Sequence, residues 1–115
     1  MSVTVSEGPA VVIGYQYKLQ VATDLALFPS GSAITAHVRA KVSDTAILAT
    51  LTTANGGLVR VSDTLIEIVI AATQTAAFKA GTVHMDMVRT DLTPDRHLGF
   101  SLEIPVTMPV TRGLT

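Results

Sequence analysis

Apolar and polar residues alternate with a period of two through most of this chain, the mark of strands that bury one face. The clearest run spans residues 65–70, where Ile66, Ile68 and Ile70 alternate with Glu67 and Val69. Val83, Met85 and Met87 repeat the pattern against His84 and Asp86. Between these runs Thr73 fits an N-cap, residues 74–80 are mostly good helix formers, and Gly81 suits the left-handed position just past a helix end. The spacing therefore predicts strand, one short helix near 73–80, then strand. A helix of about seven residues is not stable alone. Ala77 and Phe78 are expected to plug one end of a sheet sandwich whose walls come from the flanking strands.

The same alternation recurs along the chain. Val11, Ile13, Tyr15, Tyr17, Leu19 and Val21 share one face of a long predicted strand, with a bend at Gly14. Over residues 33–42, Ile34, Ala36, Val38, Ala40 and Val42 are expected to face in, and Thr35, His37, Arg39 and Lys41 out. Residues 46–53 form the next strand. Asn55-Gly56-Gly57 is a hairpin signal, because Asn and Gly tolerate positive φ, and a short return strand follows over 58–61. In the last run Leu98, Phe100, Leu102, Ile104 and Val106 oppose Gly99, Ser101, Glu103, Pro105 and Thr107. Pro105 cannot donate to a ladder, so it marks an edge or a bulge. The loop over 24–32 is unusually apolar at Leu25, Leu27 and Phe28. Those side chains either fold back to cap the core or form an exposed contact patch.

About seven or eight short strands with regular turn signals and one helical turn predict an all-β fold, a single antiparallel β-sandwich, Ig-like or jelly-roll. Its expected extent is 10–107, between an N-terminal arm over 1–9 that ends in Gly8-Pro9 and an apolar C-terminal arm over 108–115.

Composition narrows the function more than it names it. A length of 115 residues fits one domain with a core large enough to need no staples. At 48% hydrophobic residues the chain is globular. A formal net charge of -1 lacks the basic footprint of a nucleic-acid binder, and no cationic run suggests an anionic membrane surface. With no cysteine, disulfides, thiolate nucleophiles and cysteine metal sites are excluded. The first residues lack a basic region followed by an apolar core, and no apolar run approaches the roughly 20 residues of a spanning helix. The expectation is a protein kept in a cytoplasm unless it leaves as part of a particle.

Chemistry-bearing patterns are sparse. The histidines are His37, His84 and His97. His84 and Asp86 share one strand face, and His37 faces outward on another strand, so the three could meet if those strands were neighbours; solvated surface histidines are the ordinary reading. There is no HExxH, Walker-type or GxGxxG pattern, and neither Gly31-Ser32 nor Gly99-Phe100-Ser101 supplies a nucleophile elbow. Glu67, Asp86 and Glu103 lie on polar strand faces, where acidic groups keep a sheet soluble. The expectation is no enzyme, no metal and no cofactor. Arg39 and Lys41 share a face, but aromatic residues are only 4% of the chain and Tyr15 and Tyr17 are in phase with the core side, so no nucleic-acid partner is expected. A carbohydrate- or receptor-binding sandwich is the alternative, and it lacks an obvious exposed aromatic platform.

The order of features carries one resemblance. A long first strand precedes Phe28-Pro29-Ser30-Gly31, an Ile34-Thr35-Ala36-His37-Val38-Arg39 strand, the Asn55-Gly56-Gly57 turn, Ile66-Glu67-Ile68-Val69-Ile70, then Thr73-Gln74-Thr75-Ala76-Ala77-Phe78-Lys79-Ala80-Gly81 and Val83-His84-Met85-Asp86-Met87. From about Val11 to Arg112 this resembles the small β-sandwich modules of tailed-phage virion proteins. It is similar in particular to the N-terminal domain of phage baseplate upper proteins. The resemblance implies a non-catalytic virion structural protein that packs against other virion subunits and copies of itself. Baseplate upper proteins continue into further domains, so a stand-alone role is expected here, as a head decoration or cement protein or a small tail, collar or baseplate component. Terminal arms can add to a neighbour's sheet edge, and symmetric packing of many copies would bury them. The expected interface residues are Phe28, Pro29, Pro109, Val110, Arg112 and Leu114; the other reading of the arms is simple disorder.

Overall fold

The computed structural model describes residues 3–7 and 10–110. Among these, nine strands and one helical turn follow in order: β1 Val3–Glu7, β2 Val11–Val12, β3 Tyr17–Thr23, β4 Ile34–Arg39, β5 Ala49–Thr52, β6 Leu58–Ser62, β7 Leu65–Ile70, α1 Ala72–Thr75, β8 Gly81–Arg89 and β9 Arg96–Thr107. They build two sheets, a four-stranded one in the order β1-β3-β7-β6 and a five-stranded one in the order β2-β9-β8-β4-β5. The fold is all-β and sandwich-like. No helix among the described residues is long and apolar enough to cross a membrane.

The alternation explains the layering. Leu19, Val21, Ile66, Ile68 and Ile70 point from the first sheet into the same core as Ala36, Val38, Val83, Met85, Met87, Ile104 and Val106 from the second. Each large aliphatic side chain withdrawn from water there stabilises the fold by about 1.5–3 kcal/mol before chain entropy is counted.

The run over 11–21 is two strands, not one. Gly14, at φ +88, turns the chain between β2 and β3. The two strands then belong to different sheets: β2 pairs parallel with β9, Val11 opposite Val106, whereas β3 pairs antiparallel with β7. All the other pairings are antiparallel. Crossing from sheet to sheet separates the tyrosines. Tyr17 is buried, but Tyr15 stands at the corner and is 42% exposed, against the expectation of two core tyrosines.

The helix is shorter than its sequence suggests, and its cap is Ala71 rather than Thr73. Gln74 reaches back, and its Oε1 accepts the Ala71 N–H at 3.0 Å. Phe78 plugs the core as expected, whereas Ala77 is exposed. The buried helical residue is Thr75. Its hydroxyl donates to the Tyr15 carbonyl at 2.8 Å, with the Ala72 carbonyl at 3.1 Å as a second acceptor, and accepts the Gly14 N–H at 3.1 Å. The helical turn is thereby pinned to the sheet-crossing corner.

Strand β4 stops at Arg39, so Ala40 and Val42 are exposed rather than inward. A turn closes there, with the Asp44 N–H donating to the Lys41 carbonyl, and Arg39 Nη1 holds the Asp44 and Thr45 carbonyls at 3.1 and 2.9 Å. A turn forms at Asn55-Gly56-Gly57, with Asn55 Oδ1 accepting the N–H groups of Thr52 and Gly57 at 2.9 Å each, but it is not the expected hairpin: β5 and β6 lie in different sheets, and the turn carries the chain from one to the other. Pro105 sits opposite Thr82 of β8, and pairing to β2 begins one residue later, at Val106. The expected N-terminal arm includes β1, which lies at the edge of its sheet with Val5 opposite Val21 of β3.

The apolar loop after β3 folds back at Leu27 and Phe28, whereas Leu25 stays 51% exposed. Phe28 is 0% exposed, its N–H donates to the Asp63 carbonyl at 2.9 Å, and its carbonyl accepts Arg60 Nε at 2.6 Å. Phe28 is thus a core residue and offers no surface to a partner, which corrects its place among the interface candidates. The physical reason is the size of the ring: a large aromatic side chain gains most by joining the core cluster, against which the neighbouring Leu27 also packs.

Candidate functional site

Three neighbouring strands bring the chemistry-bearing residues together on the outer face of the five-stranded sheet. Because Ala36, Val38, Met85, Met87 and Ile104 point inward, their neighbours point out. Register then sets His37 opposite Asp86 and Arg39 opposite His84 across β4 and β8, and His84 opposite Glu103 and Asp86 opposite Ser101 across β8 and β9. The strands carrying His37, His84 and Asp86 are therefore neighbours. Even so, among the described residues no three His, Asp or Glu side chains converge closely enough to hold a metal ion.

The third histidine arrives through an irregularity. Register slips between Asp86 and Val88, and on the β9 side of the slip Gly99 takes φ +88. This carries His97 back to Asp86, with Nε2 2.8 Å from Oδ2. The Gly99 N–H donates to His97 Nδ1 at 2.9 Å. A backbone N–H can only donate, so Nδ1 is the unprotonated nitrogen and Nε2 carries the proton it shares with Asp86. Both ring nitrogens are engaged, which leaves His97 no lone pair for a metal or for a general base.

Arg39 Nη2 lies 3.4 Å from His37 Nδ1. A guanidinium has no acceptor, so this nitrogen of His37 is also unprotonated and its N–H is at Nε2. His84 Nδ1 stands 3.8 Å from Glu103 Oε1, an ion pair only when the ring is charged. Among the described residues no hydrogen bond joins Ser101 to a histidine. Asp86 Oδ1 and the Glu103 carboxylate accept no hydrogen bond there either. These groups line an open cleft of about 520 Å³, flanked by the apolar side chains of Val42 and Phe100. Away from the cleft, Arg89 donates to both carboxylate oxygens of Asp91, at 3.2 and 2.7 Å. That hydrogen bond holds the Asp91 carboxyl below its ordinary range.

The remaining interface candidates lie elsewhere. Pro29 is half-buried in the loop after β3. Beyond β9, Met108 is exposed and Val110 is 96% exposed. Pro109, half-buried, borders a shallow hollow of about 390 Å³ with Val12, Tyr15 and Gln16. Arg112 and Leu114 lie outside the described residues. Sequence reasoning identified His37, His84 and Asp86 as a group but missed His97, Glu103 and Phe100. The polar alternation at 84/86 and 101/103 was a signal for part of it. Only the pairing of β9 with β8 turns that signal into one surface.

No protein-family model matches the chain, and no curated protein matches it.

Proposed function

We propose that this chain is a non-enzymatic structural subunit of a tailed-phage virion, packing against other virion subunits and against copies of itself. The observation that carries the reading is the C-terminal segment. Met108 and Val110 project from the end of β9 with apolar side chains in water, next to a hollow partly walled by Val12, Tyr15 and Pro109. Apolar groups held off a compact core gain stability only when a neighbour covers them. The sheet edge at β6 adds a second surface of this kind, since Val59 and Val61 are both exposed there. Its one charged residue, Arg60, is turned back onto Asp63 and the Phe28 carbonyl, so it does not guard the edge as lysines commonly do. The resemblance to small phage sandwich modules names the assembly into which such surfaces would be buried.

Deleting residues 108–115 is the direct test. The truncated chain is expected to keep the far-ultraviolet spectrum and melting transition of the whole chain, since the core lies within 10–107. It is expected to be lost from assembled particles. Unchanged incorporation of the truncated chain would overturn the role given to this segment.

A further inference from the structure

We propose that the cleft on the outer face of the β4, β8 and β9 strands binds a neutral saccharide. The inference rests on the kind of groups left open there and is independent of the virion reading. Donors and acceptors are both present in unused form. Arg39 keeps its Nε–H and His37 its Nε2–H, while Asp86 Oδ1 and the Glu103 carboxylate accept no hydrogen bond from the described residues, although Glu103 Oε1 stands 3.8 Å from His84 Nδ1. An anion would meet the two carboxylates, and a simple cation would meet the guanidinium. A polyol satisfies both sets at once, because each hydroxyl donates one hydrogen bond and accepts others.

Two of these groups, Arg39 and Asp86, are also fixed in place before any ligand arrives. Arg39 is held by the Asp44 and Thr45 carbonyls, and Asp86 by His97, whose ring is itself locked by the Gly99 N–H. Planar polar groups held rigidly on strands lose little freedom on binding. Sugars also present an apolar C–H face, and the cleft has apolar flanks for it in Phe100 and Val42. Phe100, next to the Gly99 irregularity, is half-buried: it packs against the core and also borders the cleft. At about 520 Å³ the cleft falls within the size of sites that take small ligands.

Titration of the isotopically labelled, intact chain with glucose, galactose, mannose, N-acetylglucosamine, lactose and maltose, followed by amide NMR, tests the proposal. Sodium sulfate serves as an anion probe. Saturable shifts at His84, Asp86, Ser101 and Glu103 are expected with at least one saccharide, with a dissociation constant on the order of millimolar. Glu103→Ala removes a largely exposed carboxylate and should leave the remaining spectrum unchanged while weakening binding roughly tenfold, since a site built to bond a hydroxyl loses most when one partner goes. Asp86→Ala is the second variant, with the same expected loss. No saturable shift with any of the saccharides, a response to sulfate alone, or wild-type affinity in Glu103→Ala would each overturn the proposal.

Discussion

Phe28→Ala is expected to lower the free energy of unfolding by about 3–5 kcal/mol, the cost of emptying an aromatic site in a close-packed core. Phe28 is among the largest fully buried side chains, yet it sits in the connection between β3 and β4 rather than in either sheet. It is held there from both sides, its N–H bonded to Asp63 and its carbonyl to Arg60. Those bonds keep the backbone in place when the ring is removed, so the cavity cannot collapse easily. For a domain whose total stability is on the order of 5–15 kcal/mol, the loss is a large fraction. Urea denaturation measures it. A loss below about 1 kcal/mol would mean that the loop is not part of the core.

Thr75→Val should cost about 1–3 kcal/mol although it preserves shape and adds apolar surface. The Thr75 hydroxyl satisfies the Gly14 N–H and the Tyr15 carbonyl at the corner where the chain passes between sheets. Valine would remove both of these hydrogen bonds at a part-buried corner, and their loss exceeds the gain from a methyl. Thr75→Ser keeps the hydroxyl and should recover a large part of the loss. Thr73→Val, on the exposed side of the same turn, should change stability by no more than about 0.5 kcal/mol. Equal thermal melts for Thr75→Val and Thr73→Val would contradict this account of the corner.

The parts of the fold that were legible are those in which local pattern and tertiary position agree. β7 alternates with period two because it pairs on both sides within its sheet and buries Ile66, Ile68 and Ile70 on one face. The turn at Asn55 was readable because its side chain supplies the turn's own hydrogen bonds, but the expected hairpin was not, since β5 and β6 join different sheets. The bend at Gly14 was readable too, but the change of sheet it makes was not. Ile13 and Tyr15 continue the alternation straight through it, and only the hydrogen-bond partners, β9 before the corner and β7 after it, separate β2 from β3. Ala40 and Val42 likewise continue the pattern of β4 into a turn fixed by Arg39, a contact that no period reveals.

The candidate site divides in the same way. That His37, His84 and Asp86 point outward followed from alternation alone. That they share a surface with Glu103 required the strand order β9-β8-β4, which hairpin signals do not give because β4 and β8 are far apart in the chain. His97 was the least accessible. A strict period from Leu98 to Val106 hides the Gly99 irregularity, and without it His97 would not reach Asp86. Phe28 was misplaced as an interface residue because an apolar loop reads alike whether it covers the core or a neighbour.

Quantitative mass spectrometry of density-purified particles from a lysate in which the chain is produced tests the structural role most directly. The account predicts the chain in the particle fraction at a fixed ratio to the major capsid protein, unchanged on a second round of purification. A chain that stays in the soluble fraction, or that washes out of the particles, would contradict it.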